Sequence, residues 1–314
     1  MSSISDISTS KLLLILSFLI IGSCSSVENL QPAAISEQYN EPKFGLLLMA
    51  HGAGRDWNDA VRESTASLSQ RVPVEIAFGM ADAGSIEDSV KRLEATGVEH
   101  VGVVRMFVSG ESWYERTRQI LGLDEGAPSR EEAKRNNPQP STFMPMGFWR
   151  IDTDLSFYVS EDGLADATEM DGVLVNRIQA LSSSPSSEVA VVLAHGTGSD
   201  EEDSRWIEKI TERTALAKAS MGLQDIKVFT LREDWRDKRE EAEHRIRDYI
   251  RDVSQEGYTP LVVPFRVSGF GPYARVLEGL DYEASGQGLL PHANVSKWIE
   301  NQTELLMRIA EQQY

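Results

Sequence analysis

Two short stretches carry the side chains best suited to chemistry. Met49-Ala50-His51-Gly52-Ala53-Gly54 and Leu193-Ala194-His195-Gly196-Thr197-Gly198 each set an imidazole after an apolar run and before a glycine-rich turn. Histidine changes charge near neutral pH and is a common metal ligand, so His51 and His195 can accept a proton or hold a divalent ion. The flanking glycines let backbone N–H groups approach a ligand closely. From the residues alone a second role stays equally open, in which each imidazole caps the adjacent helix or bonds within its turn.

Other chemistries are excluded by what the 314 residues lack. The single cysteine, Cys24, rules out a disulfide framework, a zinc knuckle and a CxxC redox pair. No G-x-S-x-G elbow, no Gly-Lys-Ser/Thr phosphate loop and no H-E-x-x-H helix occurs. The formal net charge of −18, without a Lys/Arg cluster, argues against a nucleic-acid partner. Among the remaining charged residues, His100 and His244 read as surface positions. The mixed run Arg232 to Glu241 reads as a solvated helix start. Met144 and Met146, either side of a proline, read as core.

The elements that must position the two histidines repeat. The His-Gly stretches lie 144 residues apart, and Val108-Ser109-Gly110 with Tyr114 and Arg116 returns 159 residues later as Val267-Ser268-Gly269 with Tyr273 and Arg275. A weaker pair is Met144-Pro145-Met146 against Leu290-Pro291-His292. Continuous apolar runs at 44–50, 74–78, 101–107, 189–194, 226–231 and 261–265 predict strands buried on both faces. Helical spacing follows each His-Gly turn and returns at 85–95 and 238–255. Strand–helix alternation predicts right-handed βαβ units and a parallel sheet in each half. The expected organisation is a duplicated α/β protein, with halves at 43–182 and 183–314. Residues 151–181 are expected to close the first half with a helix, as 295–313 does the second. The extra length of the second half is expected in its loops, including the acidic stretch 199–204.

The N-terminus reads as a targeting segment. Lys11, ten largely apolar residues from Leu12 and then Ile21-Gly22-Ser23-Cys24 are too short for a bilayer span but fit a signal peptide. The last four residues resemble the lipobox of bacterial lipoproteins, which implies removal of 1–23, lipidation of Cys24 and a polar tether over 24–42. The chain is then expected at the bacterial cell envelope, anchored to a membrane by lipid. Ser25 after the cysteine favours the outer membrane.

An apolar strand ending in His-Gly, followed by Phe107-Val108-Ser109-Gly110 and then Ile120-Leu121-Gly122, resembles the class II chelatases. The nearest likeness is to the CbiX/SirB-type sirohydrochlorin chelatases, and Leu290-Pro291-His292-Ala293-Asn294-Val295 adds to it. The resemblance implies a chelatase-like α/β fold of two similar domains, each a parallel β-sheet flanked by helices, with a cleft between them. It implies insertion of a divalent metal (Co2+, Fe2+ or Ni2+) into a tetrapyrrole, with no organic cofactor. A lipid-anchored protein that binds the metal or the ring without turnover is the alternative. The family's strand-end histidine falls on His51 and on His195, as metal ligand and catalytic residue. Its second ligand, a His or Glu after the Val-Ser turn, falls on Ser112 or Trp113, with Glu111 the nearest carboxylate. In the duplicate it falls on Gly271 or Pro272. His292 is a further candidate ligand. A polycarboxylate ring implies a cationic lining from Arg55, Arg105, Arg116, Arg266 and Arg275, alongside the turn residues Ser109, Gly110, Ser268 and Gly269.

Overall fold

The apolar runs become two four-stranded, wholly parallel sheets. In chain order the first half is β1 Phe44–Ala50, α1 Arg55–Ser64, β2 Val74–Phe78, α2 Ala83–Ala95, β3 His100–Arg105, α3 Tyr114–Ile120, α4 Arg130–Asn136, β4 Ser156–Val159 and α5 Glu169–Gln179. The second is β5 Glu188–Ala194, α6 Asp200–Arg213, α7 Ala215–Ser220, β6 Asp225–Thr230, α8 Arg236–Gln255, β7 Thr259–Phe265, α9 Tyr273–Val276, β8 Glu283–Ala284 and α10 Ala293–Gln312. The sheet orders are β2-β1-β3-β4 and β6-β5-β7-β8, so the α/β architecture of two like halves expected from the sequence is what forms. The computed structural model describes residues 43–136 and 146–313, all within the unit Asn40–Tyr314. Cys24, the leader, the tether and the Met144-Pro145 pair lie outside the described residues. No helix among the described residues is long and apolar enough to cross a membrane.

Each central strand is apolar throughout because both its faces are covered. In β1, Leu46, Leu48 and Ala50 face a core built with α1 and α10, while Leu47 and Met49 face α2 and Ile120. In β5, Ala190, Val192 and Ala194 face α5, α6 and α7, while Val189, Val191 and Leu193 face α8 and α9. Period-2 alternation sends neighbours to opposite faces, so a strand between two helical layers shows no polar side.

Sheet register fixes the internal repeat. Ala50 pairs with Phe78, and Ala194 pairs with Thr230; Met49 pairs with Arg105, and Leu193 with Pro264. Gly110 and Gly269 therefore occupy equivalent places, as do His51 and His195. The growing offset is taken up by helices. The helix α8 has 20 residues where α2 has 13, and α6 has 14 where α1 has 10. Ser199 is the N-cap of α6, its side chain accepting from Glu202 N–H. The acidic stretch expected as a loop is thus a helical first turn, where carboxylates oppose the positive end of the helix dipole.

Two expectations are corrected. Of the matched triplets, Met146 precedes β4 whereas His292 follows β8, so these two are not equivalent. The equivalent segments are Gly163-Leu164 and Gly288-Leu289: Leu164 N–H donates to Phe107 O and Leu289 N–H to Arg266 O, at 2.9 and 2.7 Å. The closing helices are also exchanged. The helix α5 packs on β7 and α7 of the second half, whereas α10 packs on β3 and β4 of the first. Gly102 in β3 admits this close approach, because a Cβ there would stand 3.3 Å from the Leu306 side chain. The apolar stripe of α10 (Val295, Trp298, Ile299, Leu306, Ala310) dictates burial of one face but not which sheet receives it.

Candidate functional site

Both histidines begin the turn after the first strand of their half, beyond its carboxyl end, where open parallel sheets place ligands. Gly52 and Gly196 follow with φ of 79° and 80°. A Cβ on Gly52 would crowd Phe78, and one on Gly196 would crowd Thr230, the register-equivalent residue. Glycine is thus required by backbone angle and by packing. His51 Nδ1 lies 2.6 Å from Gly52 O and His195 Nδ1 lies 2.8 Å from Gly196 O. A carbonyl only accepts, so Nδ1–H is the donor in both, and in the neutral ring Nε2 then carries the lone pair that can take a proton or metal. The bond within the turn, one of the two expected roles, is present in both halves and leaves the second nitrogen unused by it.

The halves differ in what faces Nε2. His195 Nε2 is 3.3 Å from Asp234 Oδ2 and 3.9 Å from Glu233 Oε2. Glu233 is nearly buried, 11% exposed, and its other oxygen accepts from Arg266 Nη1; Asp234 is 74% exposed. Beneath this group Tyr273 is wholly buried, with the Arg266 guanidinium 5.8 Å over its ring. Burial, with the Glu233 carboxylate nearby, pushes the Tyr273 phenol up. In the first half the positions equivalent to Glu233 and Asp234 are Ala81 and Asp82. The Asp82 carboxylate is committed to the N–H groups of Ser85 and Gly147, at 2.7 and 2.6 Å. His51 is exposed and has Trp57 edge-on at 6.5 Å.

Glu233 and Asp234 are held by a strained backbone. Arg232 adopts φ 56°, as Met80 does at the equivalent place with φ 63°, and non-glycine residues adopt this region at a cost. Arg232 is buried and donates to the carbonyls of Thr197 and Gly198 and to Asp200. Asp203 Oδ2 stands 3.4 Å from its Nη1. The loop after β6 is thereby pinned to the His195 turn. The run 232–241, expected to be solvated, is instead buried at Arg232 and turned toward His195 at Glu233. A mixed-charge decapeptide hides this; counting two and three residues on from the apolar run 226–231 would have found Glu233 and Asp234.

Several other expected site residues are engaged elsewhere. Glu111 forms a bidentate pair with Arg205 of α6, at 2.9 and 2.5 Å, which holds its carboxyl below the usual range. His292 caps α10, its Nδ1 accepting from Asn294 N–H at 3.1 Å, while Nε2 meets the Asn176 carboxamide at 2.9 Å. Burial and Arg177 depress its pKa. Both are thus held by partners within the chain. Arg116 gives Nε to Ala81 O and Nη2 to the carbonyls of Met146 and Gly147, and lies over Phe148 at 4.4 Å. Arg105 is fully buried among backbone carbonyls. Both are braces rather than an anion-binding lining. Ser109 is buried and accepts from Glu111 N–H at 3.1 Å. A Cβ on Gly110 would clash with Glu161 O. Those two turn residues therefore serve packing. Ser268 and Gly269 are half-buried, and Gly269, at φ 75°, has open space around its Cα. Arg55 and Arg275 are exposed. His100, expected at the surface, is buried beside Tyr158 at 3.3 Å.

Among the described residues no set of three or more His, Cys, Asp and Glu side chains stands preassembled to hold a metal ion. The second half offers one open imidazole nitrogen against two carboxylates, an arrangement able to take a proton or a weakly held cation.

No family model matches the chain, and no curated protein matches it. Solved structures do. SirB from Bacillus subtilis with Fe3+ aligns with a TM-score of 0.60 at 15% identity, over 87% of this chain and 98% of that one. A multi-domain protein from Deinococcus radiodurans, with structural similarity to chelatases and two additional novel domains, aligns with a TM-score of 0.51 at 14% identity. That match covers 83% of this chain and 55% of the other, so this chain spans about half of it. The chain has a chelatase-like fold.

Proposed function

We propose that this chain handles a divalent metal in the crevice of its second half and presents it to a tetrapyrrole, as a sirohydrochlorin-type chelatase. The observation that carries the reading is the His195 imidazole, whose Nδ1–H is spent on Gly196 O and whose Nε2 faces Glu233 and Asp234. The likeness in fold to SirB, a protein solved with Fe3+, supports it. Insertion exchanges a divalent ion for two pyrrole protons. One imidazole and one or two carboxylates hold such an ion loosely enough to release it, and exposed Asp234 is suited to carry a displaced proton to water. Glu233, fixed by Arg266, orients the exchange. Capture without turnover is the second reading, favoured by the lack of a preassembled three-residue ligand set among the described residues.

The test is to mix the protein with Co2+ and free-base sirohydrochlorin and follow the absorption spectrum. Conversion to the cobalt form that is lost in His195→Ala supports insertion. Bound but unconverted ring supports capture. A ring that neither binds nor converts contradicts the proposal.

Attachment to a membrane through lipidated Cys24 belongs to the same proposal. Two or more acyl chains anchor stably where one does not. Cys24→Ala should therefore move the protein from the membrane fraction to the soluble one, and unchanged fractionation would refute the anchor.

A further inference from the structure

Trp235 is the aromatic member of the five large hydrophobic side chains left exposed among the described residues, at 39%. It follows Glu233 and Asp234, and its ring stands perpendicular to the His195 imidazole, at 88° with centroids 6.2 Å apart. The placement is built. Arg232, in its left-handed conformation, ties the loop to the Thr197 and Gly198 carbonyls. The indole edge rests on Gly198, where a Cβ would collide with Nε1, Cε2 and Cδ1. The second glycine of the His195 turn is thus the seat of this indole. In the first half a different element, α1, supplies Trp57 beside His51, and that ring is half-buried in the core.

An indole fixed beside the His195 turn and 39% exposed leaves apolar area uncovered that a flat ligand would bury. We infer that Trp235 is the stacking wall of the His195 crevice, against which a planar π-conjugated ring lies while His195 and the carboxylates face its polar centre. This rests on the proposed function and adds to it the residue that selects the ring. A metal taken at His195 Nε2 does not need the indole, so the two binding events should separate by mutation.

The experiment titrates wild type, Trp235→Ala and Trp235→Phe with Co2+ alone, by calorimetry, and with uroporphyrin I, by quenching of its fluorescence. Removing an aromatic platform from a stacked base weakens binding by about 5- to 100-fold. Trp235→Ala should lose uroporphyrin affinity by a factor in that range, Trp235→Phe should retain most of it, and Co2+ affinity should be unchanged in both. Unchanged Co2+ binding also certifies that the crevice is folded. Uroporphyrin binding equal in wild type and Trp235→Ala would overturn the stacking wall and leave the proposed function standing. Failure of the wild type to bind uroporphyrin while it binds Co2+ would remove both the wall and the ring from the account.

Discussion

Arg105→Ala is expected to cost about 3–5 kcal/mol of stability, the range for removing one member of a buried charged network. The guanidinium is 0% exposed, lies 4.6 Å over the Tyr114 ring and donates to the carbonyls of Gly110, Ser112, Ser160 and Glu161 at 2.8–3.1 Å. Burial pulls its pKa down to about 10, which still leaves it charged at neutral pH. Removing it strands buried carbonyls that water cannot reach, each worth about 1–3 kcal/mol. Lysine offers no planar fork to replace it. A fall in Tm of roughly 10 °C follows for a chain of this size, and Arg105→Met should fall nearly as far. If Arg105 instead met an anionic ligand, its loss would spare Tm and weaken ring binding. A thermal shift under about 2 °C would decide for that role.

The equivalent position in the second half is Pro264, paired with Leu193 as Arg105 is with Met49. This difference shapes the turn that follows the strand in each half. The turn after β3 is laced shut around Arg105, with Gly110 pressed on Glu161 O. The turn after β7 has its arginine two residues later, at Arg266, where it reaches across to Glu233. A duplicated scaffold has kept the His-Gly turn in both copies, and only one copy faces it with carboxylates.

How much of this is legible in the sequence follows from where each signal lives. The runs around Leu46 and Val191 had to be strands buried on both faces, and the His-Gly turns had to close them. Spacing between repeated motifs located equivalent residues to within the register later observed at Gly110 and Gly269. What stayed hidden depends on long-range geometry. The exchange of α5 and α10 leaves no trace in a helix's own periodicity. Arg105 and Arg266 look alike at strand ends, yet Arg105 is the last residue of β3 and lies inward among carbonyls, while Arg266 follows β7 and reaches Glu233. Asp234 and Glu233 vanish in a run of mixed charge because sequence does not tell that Arg232 is buried and kinked.

The second large effect expected is on metal binding. Losing even a residue that supports a metal ligand costs about 10–100-fold in affinity, so His195→Ala should lose Co2+ affinity by about 100-fold or more. His51→Ala should change it by less than about threefold, because the carboxylate facing His195 has as its counterpart Asp82, which is committed to Ser85 and Gly147. Acidification should weaken the wild-type site, since a protonated imidazole cannot ligate. The most direct measurement is therefore a calorimetric Co2+ titration of wild type, His51→Ala and His195→Ala under one condition. One site lost with His195 and preserved without His51 is the result predicted. Equal loss in both variants, or binding that survives His195→Ala, would contradict a metal site built in the second half alone.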